Sequence, residues 1–454
     1  MRSTMIIAAA VVAGIFLAAP MATADEVQEQ LRLMDQRLAE MEDRLQATSE
    51  ELRSAQETVE EQQSVLSSAG FATDDDRGNR SGISNFLSAV DFSGWIATSY
   101  NHRLYDDGDS NGNKNGTGTP GSAMSVTSPS FPFHKDANTF ALDQVWFVID
   151  KAATEESRAG FHVDLNWGKM NNAYGMDDNL YSAYISYLAP IGSGVQFDAG
   201  VLPTLLGAEV AAQNANFNIT RGLVYGMQPI THTGVIAAGE IAPGLTLAFG
   251  VVNDVFSDTS IDESVAKVFT GQLKYTGDSM SAALSYIVGQ DTAQGNNTTP
   301  IPPAAQQNCR TSSTSECNTA ILDLVLTADP SDTVSMWLNA DWVSTNGNDA
   351  ANRNDIGIAV ATRVAVTDNT GIAGRVEFLG MAVSGNDINK RDPEQHMGSL
   401  TGTVDHALTE DLMIRGEARW DHVFKGGDLL PQGSGGGSGQ EDQVVALVEL
   451  LYSF

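Results

Sequence analysis

The residues able to do chemistry in this chain are charges at every second position. The segment Leu412–Asp421 sets Leu412, Ile414, Ala418 and Trp420 on one face, and Arg415, Glu417, Arg419 and Asp421 on the other. A period of two with one apolar and one charged face suits a strand between lipid and a watery lumen. The same parity gives lumen-facing acids at Asp164, Asp198, Asp323, Asp341, Glu377, Asp405, Glu417 and Glu449. The lumen-facing bases are Lys274, Arg363, Arg375, Arg415 and Arg419, four of them on neighbouring C-terminal segments. A basic strip facing an acidic wall would set a transverse field that orients dipolar solutes. The acidic excess predicts a weak cation preference, and the arginine strip offers a path for anions. The alternative is local neutralisation, Arg375 by Glu377 and Arg415 by Glu417. Catalysis finds no comparable support. The seven histidines are scattered, and no Gly-x-Ser-x-Gly, His-Glu-x-x-His or paired-carboxylate site stands out. No cofactor is implied.

One connection differs from the rest. Residues 204–228 are much more apolar than the Asn/Gly/Asp connections elsewhere, and Leu205–Gln213 reads as a short helix. On a cell surface, Leu205, Leu206, Val210, Phe217 and Tyr225 would meet water; folded into a lumen, they are buried. Glu209, Asn216, Asn218 and Arg221 are therefore the candidate pore-constriction residues. The alternative packs this connection outside, against a neighbouring subunit. Asp107-Gly-Asp109-Ser-Asn111-Gly112 matches the first half of a calcium loop, but its twelfth position holds Gly118 instead of Glu. No metal site is assigned. Cys309 and Cys317 lie in a polar segment with no histidine nearby, so a disulfide is the favoured reading.

The elements that position these residues follow from rhythm. Phe454, Tyr452, Leu450, Val448, Ala446 and Val444 make one apolar face of a terminal strand. Upstream to about Val90, strand-like segments alternate with short turns and long polar connections. The turns are Thr154–Ser157, Ile191–Gly194, Ala242–Gly244, Gly277–Ser279, Asp329–Asp332, Asp368–Gly371 and Thr409–Asp411. Seven turns and eight long connections join sixteen strands, an even number with both ends on one side. The expected fold is an all-β transmembrane barrel of about sixteen antiparallel strands. Its terminal strand must pair with Val90–Asn101 to remove the free edges. The face assignment of Thr139–Lys151 is left open, because Asp143 and Gln144 are adjacent.

The N-terminal part carries an address and a stalk. Residues 1–24 read as a signal peptide: Arg2, an apolar core from Met5 to Leu17, and Ala22-Thr23-Ala24 for cleavage. Residues 25–66 read as a periplasmic coiled coil, with Leu31, Leu38, Leu45, Leu52, Val59 and Leu66 seven apart. Residues 67–87 read as a linker, and 88–454 as the barrel. With 25 basic against 57 acidic residues and a net charge of -32, nucleic acid is excluded as a partner.

Residues 90–255 resemble the OmpL-like β-barrel porins of bacterial outer membranes. The likeness rests on Gly94-Trp95 with Tyr100, Asp198–Glu209, Asn214–Gly222 and Pro229–Val235. The resemblance implies a channel in the outer membrane and no particular solute; the heptad stalk departs from the barrel-only pattern. The expected function is passive diffusion of small hydrophilic solutes or ions. The expected partners are outer-membrane lipid, two further copies in a homotrimer, and peptidoglycan. The alternative is a structural barrel tethered to the cell wall by its coiled coil, with little or no conductance.

Overall fold

Alternating apolar and polar residues force these segments into strands, and in lipid every strand edge must be paired. The computed structural model describes residues 89–106, 134, 138–169, 179–256, 266–292, 316–347, 352–384, 394–425 and 442–454. The signal peptide, coiled coil, linker, calcium-like loop and Cys309 lie outside the described residues. So does the side chain of Cys317.

Sixteen antiparallel strands close into a barrel in which each pairs with its sequence neighbours and β1 pairs with β16. They are β1 Asp91–Asp106, β2 Thr139–Lys151, β3 Ala159–Trp167, β4 Leu180–Ala189, β5 Val195–Pro203, β6 Thr231–Ala242, β7 Leu245–Val252 and β8 Val268–Thr276. The second half comprises β9 Met280–Thr292, β10 Glu316–Ser331, β11 Val334–Gly347, β12 Asn352–Thr367, β13 Thr370–Ser384, β14 Glu394–Ala407, β15 Leu412–Lys425 and β16 Asp442–Ser453. Every short turn read from the sequence falls between an even strand and the next odd one. The sixteen-strand, closed expectation holds.

The seam is registered by Trp95 against Ser453 and Ser99 against Glu449, and Phe454 N–H donates to the Gly94 carbonyl at 3.0 Å. Along β16, Val448, Leu450, Tyr452 and Phe454 are 41–51% exposed on the lipid side, whereas Glu449 is 0% exposed on the lumen side. Burial also resolves β2. A bulge opposite Ala97/Thr98 inserts Asp143, so Asp143 and Gln144 both turn inward. Gly94 is required at the seam. A Cβ there would lie 2.3 Å from the Trp146 carbonyl and 2.7 Å from the Phe454 ring. Gly94→Val should therefore block closure, read as loss of the heat-modifiable folded band on unboiled gels; a wild-type band would refute it.

Candidate functional site

The site is built by the connection between β5 and β6. Pro203 and Thr231 are cross-strand partners, so the strands need only a tight turn between them. Instead, residues 204–230 leave the wall and cross the lumen. The short helix expected over Leu205–Gln213 does not form; the only helical turns here are single 3₁₀ turns at Gln213–Ala215 and Tyr225–Met227. The segment has too few continuous helical contacts of its own and takes its backbone partners from the barrel wall.

Its first arm is fastened to β8–β11. Leu205 O accepts from Gln272 Nε2 at 2.6 Å and Ser285 Oγ at 3.0 Å. Gly207 N donates to Asp323 at 3.3 Å and Ala208 N to Asn339 at 3.0 Å. Gly207 holds φ +93°, and a Cβ there would strike Gln228 Oε1 at 2.1 Å, so glycine is needed. Gln228 in turn donates to Asn339 at 2.9 Å and Asp341 at 2.7 Å.

The second arm is fastened to β13–β16 and β2. Glu417 accepts from Ile219 N (2.5 Å), Thr220 N (3.1 Å) and Thr403 Oγ1 (2.8 Å). Arg375 donates to Glu209 Oε1 at 2.5 Å and Thr220 O at 2.6 Å, and lies 3.0 Å from Glu377 Oε2. Arg419 donates to Arg221 O at 2.6 Å and to Asp421 at 2.8 Å. Gln213 donates to Glu449 at 2.6 Å, which also accepts from Arg415 Nε at 2.6 Å. Gln144 donates to Ala211 O at 2.8 Å and accepts from Gln213 N at 3.0 Å. Hydrogen bonds thus tie the connection to β2, β6, β8, β9, β10, β11, β13, β14, β15 and β16, and Met227 packs on Gly357 of β12. It is a crossbar.

The candidate constriction residues are all in this crossbar, in different settings. Arg221 is fully buried. It donates Nε to Val210 O (2.7 Å), Nη1 to Gln213 Oε1 (2.7 Å) and Ile219 O (3.0 Å), and Nη2 to Ala211 O (2.7 Å). It therefore knits the crossbar to itself and presents no open charge. Asn218 is buried and donates to Thr403 at 2.7 Å; Glu209 is buried between Arg375 and Gly222 N. Asn216 is half-exposed and braces the tip through Val210 O and Ala212 O. Of the apolar residues, Leu206 and Tyr225 are buried, but Val210 stays exposed at the tip.

The expected arginine strip is present in position but not as an open field. Arg375 is matched by Glu209 and Glu377, Arg415 by Glu449 rather than Glu417, Arg419 by Asp421, and Arg363 by Asp405. Asp164, Asp323, Asp341, Glu377, Glu417 and Glu449 are also buried lumen-side groups. Close opposite charges neutralise one another: Arg375 by Glu377 as spacing alone offered, and Arg415 and Arg363 by carboxylates on other strands, which parity does not reveal. Polar groups remain exposed to the lumen toward the turn end of the barrel: Asp198, Lys274 and Arg363, with His162 between Asp150 (2.8 Å) and Asp164 (3.0 Å). Toward the other end, Val268, Ile287, Ile321, Val343, Leu379, Met381, Met397 and Val423 point inward and pack on Leu206, Leu223 and Met227. Beside the crossbar, burial first, then Arg221, Arg415 and Arg419, push the His134 imidazole down to about 3, so it stays neutral.

This geometry can restrict passage along a barrel without any catalytic group. The model of the beta-barrel porin-2, OmpL-like family (BBP2) matches residues 89–454. The chain belongs to that family. In a comparison with solved structures, this porin-like barrel is similar to OmpT of Vibrio cholerae, an outer membrane protein, at 12% identity and TM-score 0.53. The match covers 80% of this chain and 97% of that one. It is also similar to OprB of Pseudomonas putida at 11% identity and TM-score 0.50, covering 82% and 96%. Such likeness establishes the fold alone. No curated protein matches this chain in sequence. Sequence reasoning missed Gln144, Gln213, Thr220, Gln228, Gln272, Ser285 and Asn339. They are uncharged, and only the adjacent Asp143-Gln144 pair left any trace, as a break in parity.

Proposed function

We infer that the chain is an outer-membrane porin whose third long connection throttles the lumen, passing small hydrophilic solutes or ions passively and at low conductance. The observation carrying this reading is the crossbar, anchored around most of the barrel wall by buried ion pairs and backbone hydrogen bonds. Wall arginines matched by carboxylates leave selectivity to the partly exposed groups near the turn end. There the partly exposed acids Asp150 and Asp198 outnumber Lys274, while Arg363 is matched by Asp405, so a weak cation preference follows. On this reading residues 1–24 are an export signal, and residues 25–66 form a periplasmic coiled coil that helps hold a homotrimer. Glu209 and Asn216 shape the constriction, while Arg221 and Asn218 hold its form. Cys309 and Cys317 close a disulfide.

A second reading is favoured by the inward apolar ring of Ile287, Ile321, Val343 and Leu379. That ring would make a dry, closed barrel, tethered through its coiled coil to peptidoglycan. Planar-bilayer recording of the purified chain separates the two. The porin gives small, resolved steps with a reversal potential weakly favouring cations under a salt gradient. Absence of steps would establish the closed barrel, and clear anion selectivity would sink the cation preference.

A further inference from the structure

The inner face of β16 is apolar where a water-filled lumen calls for polar residues. Val445, Leu447 and Leu451 point inward and are at most 5% exposed, and Glu449 among them is 0% exposed. The crossbar covers all four. Ile219 packs in a cluster with Val445 and Leu447, Gln213 bonds Glu449, and Ala211 and Tyr225 share a cluster with Leu451. That last cluster also holds Trp95 and Ala97 of β1 and Trp146 of β2, so it spans the seam. β16 therefore lies between lipid and the crossbar, and a strand covered on both faces is apolar on both.

The polar contacts converge on the same place. Gln213 is 2% exposed, and each of its polar atoms is used. Its N–H donates to Gln144 Oε1 of β2 at 3.0 Å, and its carbonyl accepts from Arg415 Nη2 of β15 at 3.2 Å. Its side-chain Nε2 donates to Glu449 of β16 at 2.6 Å and to Ile219 O at 2.9 Å, and its Oε1 accepts from Arg221 at 2.7 Å. Gln144 also accepts from Trp95 Nε1 of β1 at 2.6 Å. Opposite Gln144 and Glu449, β1 turns only Ala97 and Ser99 inward, both small and buried. β1 and β16 are the one neighbouring pair not consecutive in the chain, so no turn or connection holds them together. We propose that the crossbar is an internal latch of this seam: Gln213 grips β2 through Gln144 and β16 through Glu449, and keeps β1 closed between them. An open seam would leave backbone groups unpaired in lipid, which is costly. The latch acts whether or not the barrel conducts.

The test follows amide hydrogen exchange by mass spectrometry in the full chain, folded in detergent. Gln213→Leu and Gln144→Leu each keep a side chain of similar size and remove its polar contacts. Both should speed exchange of the seam segments Trp95–Ser99 and Glu449–Ser453 about tenfold or more, and leave β10 and β11 unchanged. Gln272→Leu, which frees the first arm at β8, should not move seam exchange. Unmoved seam exchange in the folded latch variants would overturn the latch. Equal acceleration at β10 and β11 would overturn it too, as a general loosening of the barrel. If neither latch variant gives a folded gel band, a covalent seam decides. Thr98→Cys with Leu450→Cys, opposed across the seam on the lipid side, should restore the band to Gln213→Leu. Continued failure to fold would refute the proposal.

Discussion

Replacing residues 205–229 by a two-residue Asn-Gly turn should raise the single-channel conductance several-fold while the barrel still folds. Pro203 and Thr231 are already cross-strand partners, and Thr204 N donates to Ile230 O at 2.9 Å. The ladder can therefore close directly with a hairpin turn suited to its twist. Barrels of sixteen strands leave an aqueous channel unless something fills it. Removal of the crossbar would wet the inner faces of β8–β11 and β13–β16, including Arg375, Arg415 and Arg419. The conductance should also become more anion-tolerant, because these arginines lose loop partners but keep their positions. Leu206, Leu223 and Met227 would be lost from the inward apolar cluster, so a lower melting temperature should accompany the larger steps. Unchanged step size in a folded deletion variant would show that the crossbar is not the resistance.

Arg375→Met should destabilise the chain more than any single exchange at the exposed end of the lumen. Arg375 is 0% exposed and stands between Glu209 and Glu377, both also buried. Removing one partner of a buried ion pair typically costs about 3–5 kcal/mol, because the remaining charge stays desolvated. Here two carboxylates are left, and the Thr220 carbonyl loses its donor. Arg363→Met is the internal comparison. Its partner is Asp405, but the Arg363 side chain is 33% exposed, where water screens the pair, so roughly 0–1 kcal/mol is expected. The measurement is the temperature at which the folded gel band is lost: a large drop for Arg375→Met and a small one for Arg363→Met. Flickering conductance should accompany the first, since the crossbar loses an anchor at β13. Equal melting of the two variants would mean that the Arg375 pairs contribute little net stability.

Much of the architecture was legible because a membrane barrel has few alternatives. Lipid demands an apolar face at every second residue, and a closed sheet demands an even alternation of turns and connections. Leu412–Asp421 and Val444–Phe454 carry both demands in plain form, so strand number, closure and lumen-facing parity follow from the residues themselves. The third connection was also legible as unusual, because Leu205, Leu206 and Tyr225 do not belong on a surface.

What the sequence by itself determined, then, was which residues face inward. Whom they meet was decided only by the tertiary structure. Arg415 was expected beside Glu417 by spacing, yet it takes Glu449 on the next strand, because neighbouring strands bring opposed side chains closer than the two-residue repeat does. Arg221 carried the look of an open pore charge, yet four acceptors of its own loop enclose it. Gln144 carries no charge and shows in the sequence only as a break in parity beside Asp143, yet a one-residue bulge places it under the crossbar and turns Asp143 into the wall. Parity is local and written in the chain. Pairing across a lumen joins residues more than a hundred positions apart, and only closure of the barrel sets their distance.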